Sequence, residues 1–150
     1  MMRCLAIRQF LILLSGSLVA AAPPKPVAPQ PRSAEEIEKL YDQAAEFFDQ
    51  GKYPQAKYKI KQAYGSFGLL REKDADSRTT YLRLLCDLSV ELHELKNTLA
   101  YAKELATHAV DPSDRAFAFS SVGRAYYNDG QYEEAVGHYR QGLAVELKTL

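Results

Sequence analysis

The sequence is poor in cysteine, with only Cys4 and Cys86 among its 150 residues. Small secreted domains often rely on several disulfides, and two thiols cannot supply such a framework. Cys4 lies in an amino-terminal segment that we expect to be removed, so no internal disulfide can form in the rest of the chain. Cys86 lies among leucines and is predicted to be a small buried apolar residue, with a reactive or dimer-linking thiol as the alternative. The core alone must then stabilise the fold.

An excess of charge of one sign is also missing. The chain has 19 Lys and Arg against 19 Asp and Glu, and no run of five like charges occurs. A phosphate backbone is bound through clustered cations, so the sequence argues against a nucleic-acid partner. With 47% hydrophobic and 25% charged residues, the composition is that of one globular domain.

Motifs of catalysis and of metal binding are missing as well. His93-Glu94 begins like the zinc-binding helix motif, but Asn97 stands where the second histidine is required. The serines at 120 and 121 have no partnered base in a local motif, and there is no glycine-rich phosphate loop. We therefore predict that the protein is not an enzyme and that it uses no metal and no cofactor.

The amino terminus differs in character from the remainder. Residues 1–21 contain two arginines, then an apolar stretch, then small residues that end at Ala21. This order is typical of a secretory signal peptide. An uncleaved membrane anchor is the alternative, but the apolar part is about half of the roughly 20 residues that a membrane span needs. We therefore expect an exported protein, periplasmic or secreted, with no membrane span after processing.

Residues 22–32 form a proline-rich segment. Such a segment cannot join a helix and takes an extended, polyproline-like conformation. We expect it to be a spacer before the folded part; a proline-rich ligand motif for another domain is the alternative.

The strongest internal pattern lies in residues 116–147. Four residues at helical spacing predict one packing face of a first helix: Phe119, Val122, Gly123 and Tyr126. Asn128-Asp129-Gly130 is typical of a turn after a helix end. A second helix then buries three residues against the first: Ala135, Tyr139 and Leu143. One such hairpin has too little core to stand alone, so we expect neighbours to stack on it.

An earlier copy of this hairpin begins near residue 33. Ser33 followed by Glu36 predicts a capping box that opens a helix, and this helix is expected to end at Asp49-Gln50-Gly51. Residues 51–53 and residues 130–132 then share the same pattern, Gly-x-Tyr.

A middle copy is degenerate. Anchoring its second helix on the alanines at 102, 106 and 109 places residues 97–99 at the turn. The packing face of the preceding helix then holds Cys86, Val90 and His93. Asp111-Pro112-Ser113 is expected to end this copy and to begin the last.

The Gly-x-Tyr-x-x-Ala turns at residues 51–56 and 130–135, together with the packing faces, resemble the tetratricopeptide repeat (TPR) family. The resemblance implies an all-α fold, a right-handed superhelical stack of about three helix hairpins with six helices. They would form one domain over residues 33–150, with units at about 37–70, 75–112 and 114–149. Gly142 and Leu147 depart from the family pattern, and a generic helical bundle is the alternative.

In TPR arrays the first helix of each unit lines a concave groove that holds a peptide or protein segment. The resemblance therefore implies a groove formed by residues one place beyond the packing face: Tyr41, Phe48, Asp87, Glu91, Glu94, Arg124, Tyr127 and Asn128. This groove is acidic in its middle and aromatic at both ends, so we expect a partner with basic and apolar side chains. A merely solvated face is the alternative. The lysine-rich and arginine-rich grooves with which some TPR domains grip acidic carboxyl termini are not matched.

A different class of function follows from the last helix. It keeps Val136, Leu143, Leu147 and Leu150, and no further helix covers them, although terminal repeats normally need a polar outer face. We expect either that the chain pairs with itself through this end or that it is part of a larger gene product or complex. The expected function is that of an adaptor or scaffold of the cell envelope; the alternative is a self-assembling structural subunit, a homodimer paired through this helix.

Overall fold

The computed structural model of the chain describes residues 33–67 and 75–148. All regular secondary structure in these residues is helical. The six helices are α1 (Ala34–Asp49), α2 (Tyr53–Phe67), α3 (Ala75–Glu91), α4 (Leu95–His108), α5 (Pro112–Asn128) and α6 (Tyr132–Leu147). The predicted all-α class with six helices is confirmed. The predicted signal peptide and spacer lie outside the described residues.

Local sequence sets where the helices begin. The Ser33 hydroxyl accepts a hydrogen bond from the Glu36 amide at 3.1 Å, and the Asp111 carboxylate accepts one from the Ser113 amide at 2.8 Å. Both satisfy amides that have no partner within the helix. The predicted starts of α1 and α5 are therefore confirmed.

Two glycines turn the chain after α1 and α5. Gly51 and Gly130 have φ angles of 69° and 78°, a left-handed conformation that glycine adopts without a steric penalty. The predicted turns at these positions are confirmed. Each brings the next helix back along the one before it.

The predicted position of the middle turn is wrong. Residues 97–99 lie inside the first turns of α4, and the chain reverses four residues earlier, at His93. His93 has a φ of 55° and holds the place that Gly51 and Gly130 hold in the other hairpins. A histidine in this conformation carries no glycine signal, so the sequence pattern was aligned on the wrong residues.

The packing face of α3 shifts with the turn. Cys86 and Val90 are buried as predicted, but His93 is exposed. Thr98 is fully buried, and its hydroxyl donates to Ser89 Oγ at 2.9 Å. Thr98 thus occupies the place at which the other hairpins bury a small alanine, with Ser89 facing it from α3.

The hairpins stack in chain order. Each pairs two consecutive helices, and α2 also packs on α3 and α4 on α5. The odd-numbered helices contact one another directly, α1 with α3 and α3 with α5. Within the described part of the chain, no such backbone contact joins α2 to α4 or α4 to α6. The odd-numbered helices therefore form one continuous surface, which we call the odd-helix face.

The core is concentrated in the first two hairpins. Its largest fully buried side chains come from α1 to α4: Ile37, Ile60, Phe67, Leu82, Leu85, Leu88 and Leu105. Cys86 lies among them, and burial raises the pKa of its thiol to about 12. A thiol in this state is inert at neutral pH, which confirms the buried apolar interpretation.

The last hairpin packs through small residues instead. A Cβ on Gly123 of α5 would lie 2.8 Å from the Tyr139 ring of α6, so the absence of a side chain at Gly123 lets the two helices approach closely. Helix α6 continues through Gly142 to Leu147. The predicted burial of Ala135 is confirmed, but that of Tyr139 and Leu143 is wrong, because these side chains are 38% and 55% exposed.

The left-handed turn at His93 gives a first testable prediction. His93→Gly should raise the free energy of unfolding by about 0.5–1 kcal/mol, because glycine removes the steric penalty but loses more entropy on folding. Gly130→Ala should lower it, since its Cβ meets open space and only the backbone conformation is strained. Urea denaturation with an unchanged slope measures both changes. A destabilised His93→Gly variant would contradict the assigned turn.

Candidate functional site

An ion cluster joins α3 to α5 on the odd-helix face. Arg124 of α5 donates to Asp87 Oδ1 at 2.9 Å and to Glu91 Oε1 at 2.8 Å. Asp87 and Glu91 are four residues apart on α3, so they lie on the same side of that helix. All three side chains are partly exposed. One guanidinium thus bridges two carboxylates at the contact between two helices.

The Asp87 carboxyl is only partly compensated. Burial raises its pKa above the ordinary value, Arg124 and Arg83 act to lower it, and Glu91 raises it again. The net shift is upward, so the field of the two arginines does not fully offset the loss of water. A further cation placed here would therefore be stabilised.

A second ion pair lies on the same face. Arg83 of α3 donates to Asp114 of α5 at 2.6 Å, and its guanidinium carbon lies 4.1 Å from the centroid of the Phe117 ring, close enough for a cation–π interaction. Sequence reasoning missed Arg83 as a site residue. Counted from the true turn at His93, Arg83 holds the position that Tyr41 holds relative to Gly51.

The aromatic candidates differ in exposure. Tyr127 is 59% exposed and meets Tyr132 edge-on at 5.3 Å between centroids. Tyr41 is half-buried and joins α1 to α3 through an edge-on contact with Tyr81 at 5.2 Å. Burial raises the pKa of the Tyr41 and Tyr81 phenols. Tyr127 therefore offers a free ring face, whereas Tyr41 mainly holds two helices together.

Phe48 is half-buried as well. It packs on Tyr53 at 5.5 Å between centroids, the first-hairpin counterpart of the contact between Tyr127 and Tyr132. Both pairs flank a left-handed glycine. Phe48 also packs against the core, so its ring serves the hairpin more than the surface.

Asn128 ends α5 beside α3. Its amide Nδ2 donates to the Val90 carbonyl oxygen at 3.5 Å. The structure thus brings four of the predicted site residues together at the contact of α3 and α5: Asp87, Glu91, Arg124 and Asn128.

Glu94 is not part of this cluster. It lies in the turn before α4, where its carboxylate pairs with Lys57 of α2 and accepts a hydrogen bond from Asn97 at 2.7 Å. Burial alone would raise its pKa, but the hydrogen bonds from Lys57 and Asn97 hold it below the ordinary value. The prediction that Glu94 faces the groove is wrong, because it depended on the misplaced middle turn.

A cleft between α4 and α6 was not foreseen. It encloses about 500 Å³ and is lined mainly by apolar side chains, among them Leu99, Ala102, Phe119 and Val122. The His138 ring stacks on Tyr126 at 5.3 Å, and its buried Nδ1 has no hydrogen-bond partner. The spacing of Leu99, Ala102 and Ala106 on one side of α4 was the sequence signal for this wall.

The gap between α2 and α4 is closed differently. The Tyr64 hydroxyl of α2 donates to Glu104 of α4, and Lys57 pairs with Glu94 at the turn. Burial, followed by the hydrogen bond to Glu104, raises the pKa of Tyr64. The even-numbered helices are thus tied at one gap and open at the other.

Neither a metal centre nor a membrane span is found in residues 33–67 and 75–148. No group of three or more His, Cys, Asp or Glu side chains there could hold a metal ion. No helix there has the length and apolar character to cross a bilayer.

Comparison of the chain with protein-family models, with curated proteins and with solved structures gives no match. The TPR resemblance therefore stays a prediction that depends on the repeated residues. Function has to be argued from the surface itself.

The bridge formed by Arg124 gives a second prediction. Arg124→Ala should lower the free energy of unfolding by about 1 kcal/mol at pH 7, because two carboxylates lose their shared cation. The loss of Arg124 also raises the Asp87 pKa further. A carboxyl whose pKa is higher in the folded than in the unfolded state costs stability when it is charged and recovers it on protonation. The deficit should therefore shrink as the pH falls from 7 towards about 4.

Chemical denaturation at several pH values measures this deficit. Arg115→Ala is the matched control, since Arg115 is an exposed arginine on the same helix. A deficit that is constant with pH, or one that Arg115→Ala reproduces, would contradict the coupling between Arg124 and the two acids.

Proposed function

We propose that the chain is a non-catalytic interaction module of the TPR type, which binds a peptide or protein segment on the odd-helix face. The observation that carries the proposal is the cluster of Arg124, Asp87 and Glu91. It holds α3 and α5 side by side while leaving its charged groups partly exposed. The two carboxylates around one guanidinium give the cluster a net negative charge, which favours an added cation.

The charges of the face indicate the chemistry of the partner. Along the contact of α3 and α5, three carboxylates face two arginines, Arg83 and Arg124. The five groups together carry one net negative charge. The raised pKa of Asp87 indicates that its carboxylate is the one least compensated by the arginines. A lysine or arginine of the partner fits this position. The exposed Tyr127 ring, one turn from Arg124, offers an apolar contact for a neighbouring side chain.

The aromatic contact should dominate the affinity. Exposed ion pairs contribute about 0–1 kcal/mol each, whereas the buried aromatic residues of an interface often contribute more than about 2 kcal/mol. The ion cluster then selects for a basic segment, and Tyr127 supplies most of the binding free energy.

The setting of this function is part of the proposal. The order of cationic, apolar and small residues in 1–21 supports export to the periplasm or the exterior. The proline-rich residues 22–32 would then separate the module from its point of exit. We propose an adaptor or scaffold of the cell envelope rather than an enzyme.

Selection of a random peptide library on the purified chain tests the proposal. We expect the enriched peptides to carry a lysine or arginine next to an apolar or aromatic residue. Tyr127→Ala should weaken their binding by about tenfold or more. Glu91→Gln should weaken it less, with an effect that fades at high salt.

Tyr58→Ala is the matched control. Tyr58 is 56% exposed, almost the same as Tyr127, but it lies on α2 and away from the odd-helix face. Its replacement should leave peptide binding unchanged. Enriched peptides that depend on Tyr58 and not on Tyr127 would place the binding surface elsewhere.

A further inference from the structure

An apolar stripe runs along the exposed side of α6. Its five residues, which we call the α6 stripe, are Tyr132, Val136, Tyr139, Leu143 and Leu147. They recur every three or four residues and therefore share one side of the helix. All five keep exposed surface, although the Tyr139 ring also lies against Gly123 of α5 and the Tyr132 ring against Tyr127. The other three, Val136, Leu143 and Leu147, are 47%, 55% and 60% exposed.

The equivalent side of α4 shows how the same positions pack in the middle hairpin. When the hairpins are aligned on His93 and Gly130, the central stripe positions correspond to Leu99, Ala102 and Ala106 of α4. Those residues pack against α5 at the edge of the core cluster, and they also form one wall of the cleft between α4 and α6. The α6 stripe is thus a surface built to accept a helix.

Helix α1 of another copy does not fit this surface. The exposed residues of α1 are almost all charged or polar, and no large apolar side chain of α1 is among the exposed ones. Apolar side chains of α6 would meet carboxylates there, at a cost in desolvation. A head-to-tail chain of copies is therefore not supported.

A second α6 running antiparallel does fit. With a two-fold axis between Tyr139 and Arg140, Tyr132 of one copy lies opposite Leu147 of the other, and Val136 lies opposite Leu143. The exposed fractions also match, at 61% and 60% for the outer pair and 47% and 55% for the inner pair. The stripe is therefore its own complement, as an interface with two-fold symmetry requires.

We infer that the chain forms a two-fold symmetric homodimer in which the α6 stripes of two copies pack antiparallel. At the axis, the Arg140 guanidinium of each copy lies beside the Tyr139 ring of the other, where a cation–π contact is available. The interface involves one helix of each copy, which places it at the small end of specific interfaces. A dimer that dissociates at micromolar concentration follows.

Sedimentation equilibrium of the full chain tests the dimer. We expect dissociation with a constant on the order of 10 µM, typical of a small interface. Leu143→Glu puts a carboxylate opposite Val136 at two places in the dimer, once from each copy. It should raise the dissociation constant by at least about tenfold. Tyr58→Glu, at 56% exposure on α2, is the matched control and should leave it unchanged.

Circular dichroism shows whether both variants keep the helical fold, which their exposed positions favour. A chain that stays monomeric at about 200 µM, well above the expected constant, would overturn the inference. A Leu143→Glu variant that pairs as tightly as the unaltered chain would overturn it as well, as would a dimer that only Tyr58→Glu weakens.

Cross-linking tests the antiparallel arrangement. In a Cys4→Ser background, Val136→Cys and Leu143→Cys are prepared separately, mixed and oxidised with glutathione disulfide. The antiparallel dimer predicts a disulfide between the two different variants and none within either variant alone, since a disulfide needs Cβ atoms about 4 Å apart. Cross-links only between identical variants would show parallel pairing and would overturn the arrangement.

Discussion

Every hairpin of this chain depends on the next one for its buried surface. The large core side chains come from α1 to α4, whose helices cover one another. The last hairpin buries mainly alanine and glycine between α5 and α6. Small residues let helices approach closely but bury little apolar area. The last hairpin therefore needs its contact with α4, and it keeps its larger apolar side chains on the outside.

The same packing places the candidate site. Contacts of α1 with α3 and of α3 with α5 bring residues more than thirty positions apart in sequence onto one surface. Arg124 can bridge Asp87 and Glu91 only because two hairpins lie side by side. The charge left uncompensated is a property of the assembled stack, and no single hairpin contains it. The stack of paired helices thus gathers onto one surface side chains that each helix alone would leave scattered.

The sequence predicted the parts of the fold where glycine marks the turn. Helices α1, α2, α5 and α6 flank Gly51 and Gly130, and the packing faces of α1, α2 and α5 follow the 3.6-residue period. On α6 the same period predicted burial of Tyr139 and Leu143, which are exposed. The middle turn could not be found this way, because His93 is left-handed without being glycine and Thr98 replaces the small alanine. That four-residue error carried over to the site. Because of it, Glu94 was wrongly assigned to the candidate site, and Arg83 was not assigned to it.

Other features of the site lay beyond sequence reasoning. The acidic residues of the groove were expected to await a partner's cations, but Arg124 of the same chain already binds two of them. Pairing across hairpins depends on how the helices are rotated, and periodicity alone does not fix that rotation. The same holds for the aromatic residues. Tyr41 and Tyr127 were both expected at the surface, yet Tyr41 is half-buried between α1 and α3, whereas Tyr127 is 59% exposed beside Tyr132.

Tyr132 belongs to two surfaces at once. Its ring touches Tyr127 on the odd-helix face, and it is the first residue of the α6 stripe. If a ligand binds at Tyr127 and two copies pair through the α6 stripe, as proposed, an event that fixes this ring on one side restricts it on the other, and the two equilibria are then linked through it. Such linkage is reciprocal: whatever factor the ligand adds to self-association, self-association adds to the affinity for the ligand. In the proposed dimer, one tyrosine would thereby couple the two surfaces without any rearrangement of the helices.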